Sequence, residues 1–323
     1  MSMTILRGRI LSFVREPQGL DDKASYRYIE DGAIGIVDGK IVSVGNFDAA
    51  MVGGAAVIDH RPHLILPGFI DTHLHYVQSQ MIASYAGSLL EWLNTYTFVD
   101  EQKFSQQGHA EAVASAFYDE LIRHGTTTAV AYCSSAPASV DAYFAEAEKR
   151  NMLMIGGKVM MDRNAPEALC DTAQSSYDDS KALIARWHGR GRGLYAISPR
   201  FAITSTPAQL EAAQALVAEH ADCYVQTHLS ENDAEISLSM QLYPEAPDYT
   251  GIYEQYGLLG PRTLLGHCIH LNHRETGVLA ETSSVAVFCP TSNLFLGSGL
   301  FDHARLVQHG VRIGIATDIG GGT

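Results

Sequence analysis

The sequence predicts an α/β protein built on a (β/α)8 TIM-type barrel with a small N-terminal β-domain. Eight apolar, strand-like segments follow one another from Leu64 onward, and Ala- and Glu-rich helical segments separate most of them. Strands that are apolar along their whole length are typical of parallel sheets buried on both faces. The roughly 250 residues that these segments span match the size of such a barrel. A doubly wound open sheet is the alternative, and it is weakened because no G-x-G-x-x-G sequence follows the first strand.

The predicted elements divide the chain into residues 1–66, a β-sandwich-like domain of short strands, and residues 67–323, the (β/α)8 barrel. In the first part, Asp38-Gly39 between two apolar runs predicts a hairpin with a type I′ turn. Helices are predicted over 110–122, 138–149 and 207–220. The predicted barrel strands are Leu64–Leu74, Thr126–Tyr132, Met152–Met161, Leu194–Ile203, Cys223–Leu229, Thr263–Ile269, Val285–Pro290 and Arg312–Thr317.

Composition excludes several classes of function. The net charge of −14 argues against nucleic-acid binding, which needs clustered Lys and Arg. No apolar run approaches the roughly 18 residues of a membrane span, and no signal-peptide pattern opens the chain, so we expect a cytoplasmic protein without a membrane partner. The five cysteines form no C-x-x-C pair and are predicted to be reduced, buried thiols.

A short stretch of the first barrel strand carries the strongest chemical signal. Pro67 to His75 reads P-G-F-I-D-T-H-L-H, and residues two apart on a strand point to the same face, so His73 and His75 would lie side by side. Paired imidazoles suit zinc, although a bare H-x-H is more often a solvated pair. Barrel enzymes place their chemistry at the C-terminal ends of the strands. The polar residues predicted at those ends also include Gln78, Ser198–Phe201, Thr227–Glu231, Gly266–Cys268 and Thr317–Asp318.

The order H-x-H, His, His, Asp on strands one, five, six and eight resembles the amidohydrolase superfamily of metal-dependent hydrolases and deaminases. Within it, five segments resemble the guanine deaminases, and the likeness runs from about Gly32 to the last residue. These segments are P-G-F-I-D-T-H-L-H-Y-V-Q, S-L-L-E-W-L-N-T-Y-T-F, S-P-R-F-A-I-T-S-T, T-H-L-S-E-N and C-P-T-S-N-L-F-L-G-S-G.

This resemblance implies a residue set for one metal ion, zinc with iron as the alternative. The implied ligands are His73, His75, His228 and Asp318. Binuclear relatives carry a bridging lysine on strand four, which this sequence lacks there; Lys158 lies on strand three and is expected to be structural. We therefore expect a single metal.

The resemblance also implies catalytic and substrate-binding roles. Glu231 would shuttle protons, His267 would orient the metal-bound water, and His267 with Asp318 would stabilise the tetrahedral centre. The residues implied to contact the purine are Gln78, Arg200, Phe201, His228 and Glu231. Phe201 could instead pack in the core, and Trp92 could either cover the pocket or occupy an ordinary buried helix face.

The implied activity is conversion of guanine and water to xanthine and ammonia, by zinc-hydroxide attack at C2, in a homodimer. The alternatives are a deaminase or chlorohydrolase of the same superfamily acting on another N-heterocycle, and a non-catalytic scaffold on the same fold. Relatives continue beyond the last metal-binding aspartate, whereas these 323 residues end five positions after Asp318. We therefore expect the barrel to lack its last helix here, and the small domain to be completed by strands outside this sequence.

Overall fold

The computed structural model describes residues 3–19, 21–85 and 89–321 of the chain. The chain forms two compact units, Met1–Gly68 and Phe69–Thr323. The boundary expected between residues 66 and 67 lies two positions before this division. Ser88, the first residue of the S-L-L-E-W-L segment, lies outside the described residues.

The first unit contains one four-stranded sheet in the order β3-β2-β1-β4. Asp38 and Gly39 both have positive φ, 50° and 72°, as a type I′ turn between β2 and β3 requires. The expectation of short strands is wrong: these strands have 7 to 12 residues, because the ladder between β1 and β2 continues across a register shift at Gly8–Ile10. The sandwich-like arrangement stays a prediction. The strands are β1 Thr4–Phe13, β2 Tyr26–Val37, β3 Lys40–Asn46 and β4 Ala56–Ile65.

The second unit is a nearly closed barrel of eight parallel strands, which confirms the predicted fold class. A further short strand, β8, pairs with β9 alongside it. The strands are β5 Phe69–His75, β6 Thr126–Tyr132, β7 Leu153–Gly157, β8 Val159–Met160, β9 Gly193–Pro199, β10 Tyr224–Leu229, β11 Thr263–His267, β12 Val285–Phe288 and β13 Arg312–Ile315.

Three predicted strands are interrupted or differ from the structure by more than two residues, each for a local reason, and the ends of the others agree within two residues. Leu64 and Ile65 belong to β4, and β5 begins only at Phe69, after Pro67, which has no N–H to donate. The strand expected over Met152–Met161 is interrupted at Lys158, whose N–H donates to the Tyr195 hydroxyl at 3.2 Å instead of to a neighbouring strand. The fourth barrel strand ends at Pro199, so Arg200 and Phe201 follow it rather than lie within it.

Side chains and main chain join the first and last barrel strands. The Thr72 hydroxyl donates to the carbonyl of Ile315 at 2.9 Å, and the N–H of Asp318 donates to the carbonyl of His73 at 3.0 Å. The buried carboxylate of Asp71 accepts from both the N–H (3.1 Å) and the hydroxyl (2.5 Å) of Thr317. These bonds bring the ends of β5 and β13 together, so the side chains that follow both strands meet.

Helices cover the barrel, and their apolar faces form its main core. In α4, Pro137 takes a position where its missing N–H is tolerated, and Asn151 ends the helix with φ 54°. Among the described residues, no helix is both long and apolar enough to cross a membrane. The α-helices are α1 Leu89–Trp92, α2 Phe98–Glu101, α3 Gln107–Arg123, α4 Pro137–Arg150, α5 Ala173–Trp187, α6 Pro207–Glu219, α7 Asp233–Leu242, α8 Tyr249–Gln255, α9 His273–Thr282, α10 Pro290–Phe295 and α11 His303–Gln308.

Candidate active site

Four of the predicted metal-binding side chains converge at the C-terminal ends of β5, β10 and β13. The Nε2 atoms of His75 and His228 lie 3.2 Å apart. Oδ1 of Asp318 lies 3.3 Å from Nε2 of His73 and 3.5 Å from Nε2 of His75. The possible ligand atoms of the three histidines all lie within 4.8 Å of one another. The three imidazoles could therefore share one ion, and Asp318 lies beside two of them.

Several buried polar atoms of this group have no hydrogen-bond partner, which favours a metal there. Nε2 of His73 and Oδ1 of Asp318 are buried and unpaired among the described residues. The Nδ1–H of His228 donates to the carbonyl of Arg200 at 2.7 Å, so its Nε2 carries a lone pair and faces the Nε2 of His75. Unpaired buried polar atoms are costly, and a cation would satisfy them together. These residues fit a metal ion.

The main chain at this site is held in an uncommon conformation. His267 and Asp318 have φ of 72° and 52°, a left-handed region that non-glycine residues seldom adopt. His267 is the last residue of β11, Asp318 lies three residues beyond β13, and their side chains approach each other to 3.9 Å. Gly266 is also required, because a Cβ at this position would lie 2.8 Å from Cε1 of His73.

Glu231 and His267 form a buried pair beside the ligand group. Oε2 of Glu231 lies 3.3 Å from Nε2 of His267, and its Oε1 accepts from the Ser298 hydroxyl at 3.0 Å. Nδ1 of His267 lies 2.9 Å from Oδ1 of Asn293, which holds the ring at its other end. Nε2 of His267 also lies 3.9 Å from Oδ2 of Asp318. The pair is thus fixed on both sides and directed at the metal-binding group.

The pKa values in the site follow from burial and from neighbouring charges. Burial lowers the pKa values of His75 and His228 well below 6.5, which keeps them neutral and able to bind a metal. Burial raises the pKa of Glu231, and the adjacent His267 opposes this shift. For Asp318, burial also acts to raise the pKa, but the adjacent His73 lowers it to about 2.

A cavity with about 30 Å³ of free space opens over these residues. Gln78 and Arg200 line it, and both are bound to Glu101 of α2. Nε2 of Gln78 donates to one Glu101 oxygen at 2.8 Å, and Nη1 of Arg200 donates to the other at 2.8 Å. All three side chains are almost fully buried. The cavity therefore has a fixed polar edge formed by Gln78 and Arg200.

Apolar side chains form the rest of the cavity wall. Phe201 borders the cavity, packs in a cluster with Trp92, and lies edge-on to the ring of His228 at 6.2 Å. Trp92 also borders the cavity while its Nε1–H donates to the carbonyl of Ser84 at 2.9 Å. The sequence left open whether Phe201 and Trp92 pack in the core or line the pocket, and in the structure both residues do both. Lys158 pairs with Asp171 and is fully buried, as a structural residue would be.

Sequence reasoning missed three residues of the site. Glu101 lies in a helix rather than at a strand end, so the search along strand ends passes over it. Asn293 lies within the C-P-T-S-N-L-F segment, which was recognised without a role for the asparagine. Glu235 caps α7, accepts from the N–H of Glu231 at 2.8 Å, and has a pKa raised to about 7 by burial. The capping box N-D-A-E was the available signal for Glu235.

Comparisons with known proteins agree with this geometry. A model described as Amidohydrolase family matches residues 64–323. The guanine deaminase of Escherichia coli is 47% identical over 100% of this chain and 74% of its own length. A solved structure described as E. coli guanine deaminase matches with a TM-score of 0.96, covering 99% of this chain and 75% of that one.

Two further solved structures differ in what they support. Guanine deaminase from C. acetobutylicum with guanine bound in the active site is 29% identical, with a TM-score of 0.90, covering 99% of this chain and 75% of that one. A triazine hydrolase from Arthrobacter aurescens has a TM-score of 0.85 but only 21% identity, covering 100% of this chain and 74% of that one. The second likeness shows the fold alone.

Proposed function

This chain belongs to the amidohydrolase family, and from that premise we propose that it is a guanine deaminase, converting guanine and water to xanthine and ammonia. One observation carries the proposal. Metal-binding histidines, a buried acid and a fixed polar edge line a single cavity, in a chain 47% identical to a guanine deaminase.

Amidohydrolases are metal-dependent, and we propose one zinc ion held by the four side chains that converge at the strand ends. Those side chains are His73, His75, His228 and Asp318. Three imidazoles and a carboxylate suit zinc, with iron as the alternative. When bound, such an ion supplies Lewis-acid chemistry and lowers the pKa of a water molecule.

The proton transfers are assigned to Glu231. In the proposed reaction, its carboxylate takes a proton from the water that adds at C2 of guanine and delivers it to N3. It then moves the proton of the new C2 hydroxyl to the 2-amino group, so that the C2–N bond breaks and the amine leaves as ammonia. Its raised pKa brings it closer to neutral pH, where one group can both accept and return a proton. His267, held by Asn293, orients the water, and His267 and Asp318 together stabilise the tetrahedral centre.

Recognition of the purine is assigned to the polar edge and the apolar wall. Arg200 offers planar N–H donors to a carbonyl oxygen such as O6 of guanine. Gln78 binds the amide-like edge of the base beside it, and Phe201 packs against the ring. His228 and Glu231 border the same cavity and contact the reacting end of the substrate.

The proposal includes a cytoplasmic homodimer. All five cysteines are free and four of them are buried, which is the usual state of thiols in a reducing compartment. The dimer rests on the resemblance to guanine deaminases, and light scattering of the purified protein tests it.

The experiment is a substrate panel with the metal-loaded protein. Ammonia release is measured from guanine, adenine, cytosine and an aminotriazine, and xanthine formation is followed chromatographically. We expect ammonia and xanthine in equal amounts from guanine and little release from the others. Release from cytosine or the triazine without release from guanine would replace this function by another within the family. A metal-loaded protein that releases ammonia from none of them would favour the scaffold.

A further inference from the structure

Hydrogen bonds among Glu101, Gln78 and Arg200 determine which polar groups face a substrate in the cavity. Glu101 is 0% exposed and uses one oxygen for each neighbour, at 2.8 Å in both cases. An ionised carboxylate only accepts hydrogen bonds. It therefore requires the NH2 group of the Gln78 amide, rather than its carbonyl, to face Glu101.

The other end of the Gln78 amide is unpaired. Its Oε1 is buried and has no hydrogen-bond partner among the described residues, although Gln78 borders the cavity. A buried acceptor without a partner is unfavourable, so a substrate N–H that reaches it is favoured. Gly320 packs directly against this side chain, because a Cβ at Gly320 would lie 2.2 Å from Cβ and 2.9 Å from Oε1 of Gln78.

Arg200 is held by the same helix in two ways. Phe98 and Glu101 are three residues apart on α2, and the Arg200 guanidinium carbon lies 5.4 Å from the centre of the Phe98 ring while Nη1 binds Glu101. A guanidinium has five N–H donors, so donors remain for the cavity. The edge thus presents a fixed acceptor, Oε1 of Gln78, beside a fixed donor, Arg200.

We propose that Glu101 is a positioning residue that fixes this acceptor–donor pattern and thereby selects purines that present an N–H beside a carbonyl. This proposal rests on the proposed deaminase function and adds a structural reason why the enzyme would prefer guanine. Guanine carries the required edge, with N1–H next to O6. In 2,6-diaminopurine the edge is reversed, with an acceptor at N1 and a donor at position 6, yet the 2-amino group to be removed is unchanged.

The test compares kcat/KM for guanine and 2,6-diaminopurine in the metal-loaded enzyme. A site built to hydrogen-bond one edge of a substrate can discriminate against an analogue that lacks this edge by roughly 10⁴- to 10⁵-fold. The parent enzyme should therefore strongly prefer guanine. In Glu101→Gln, the new amide can donate to Oε1 of Gln78 and allow the Gln78 amide to turn over. We expect guanine kcat/KM to fall at least tenfold, mainly through KM, and the guanine preference to fall at least tenfold, with metal content unchanged.

Three further variants separate this role from a general structural one. Glu101→Asp keeps a carboxylate and should preserve the preference even if turnover falls. Gln78→Met leaves the Glu101–Arg200 pair intact and should reduce the preference, which keeps the test valid if Glu101→Gln does not fold. The matched control is Glu275→Gln, another buried acid that accepts from Thr250 and does not border the cavity; it should leave the preference unchanged.

The proposal is overturned if the preference changes less than tenfold in a folded Glu101→Gln or in Gln78→Met. It is also overturned if Glu101→Asp reduces the preference as much as Glu101→Gln does. These outcomes differ from failure of the deaminase function itself, in which the parent enzyme would not release ammonia from guanine at all.

Discussion

Replacement of Glu231 by glutamine tests the proposed proton transfers most directly. The substitution keeps the size of the side chain, and the Ser298 hydroxyl can still donate to the remaining oxygen, so the rotamer should persist. The variant loses the ability to accept a proton, and it also loses the negative charge that lies 3.3 Å from Nε2 of His267. Metal content should stay near that of the parent protein, because Glu231 is not one of the proposed ligands.

The expected magnitude follows from the number of steps that Glu231 serves. General acid–base catalysis contributes roughly 10²- to 10⁴-fold to each transfer, and Glu231 serves more than one. We therefore expect kcat to fall at least about 10³-fold, which corresponds to about 4 kcal/mol of barrier. Ser298→Ala removes a single hydrogen bond to the carboxylate, worth about 1.5–3 kcal/mol at most, so its loss should be smaller.

The assay measures ammonia release and metal content in the same preparation, with Glu275→Gln as the buried-acid control. A Glu231→Gln protein that is fully metal-loaded and retains more than a tenth of parental kcat would remove Glu231 from the mechanism. A larger loss in Ser298→Ala than in Glu231→Gln would equally contradict the reasoning, because Ser298 acts only through that carboxylate.

Three other predictions concern the metal, the purine and pH. His228→Ala should sharply reduce metal content and turnover, whereas the exposed helix-end variant His124→Ala should change neither; elemental analysis with unchanged metal in His228→Ala would refute the ligand assignment. Arg200→Lys keeps the charge but loses the planar donors, so guanine kcat/KM should fall with metal content intact, and equal loss of metal would count against a role in reading the base. Burial raises the pKa of Glu235 to about 7 from 4.5, so its stabilising contribution is full below pH 4.5 and is lost as pH rises to about 7. Between pH 4.5 and 7 this loss amounts to about 3 kcal/mol of the free energy of unfolding, at about 1.36 kcal/mol per pKa unit. Urea unfolding of Glu235→Gln at equal metal loading should show that this pH dependence has gone. An unchanged slope of the unfolding free energy against pH would refute the assignment.

The fold class was predictable because parallel barrel strands are apolar along their length and helices separate them. Strand ends were less predictable. At Lys158 a buried ion pair with Asp171 accompanies a break in a strand that composition alone would continue. At Leu64–Ile65 one apolar run supplies residues to two different strands, and only tertiary pairing decides where each begins.

The candidate site shows the same contrast. His73, His75, His228 and Asp318 could be proposed from sequence because each lies at or near the C-terminal end of a strand, where barrel geometry brings side chains together. Glu101 could not be proposed in this way, since its importance depends on two distant partners, Gln78 and Arg200. The positive φ of His267 and Asp318 was equally hidden, because neither residue type signals a left-handed conformation as glycine does.

The bonds between Asp71 and Thr317 join positions 246 residues apart in the chain, beside the proposed ligands from β5 and β13. A contact of such long range requires closure of almost the whole barrel, and its loop-closure entropy is unfavourable until the rest of the sheet has formed. An ion held by His73 and Asp318 would therefore link the first and last strands of the barrel, β5 and β13. Because the ion would bind the folded barrel and not the unfolded chain, the thermal midpoint of unfolding should rise with metal concentration. Removing the ion should first weaken the contact between β5 and β13.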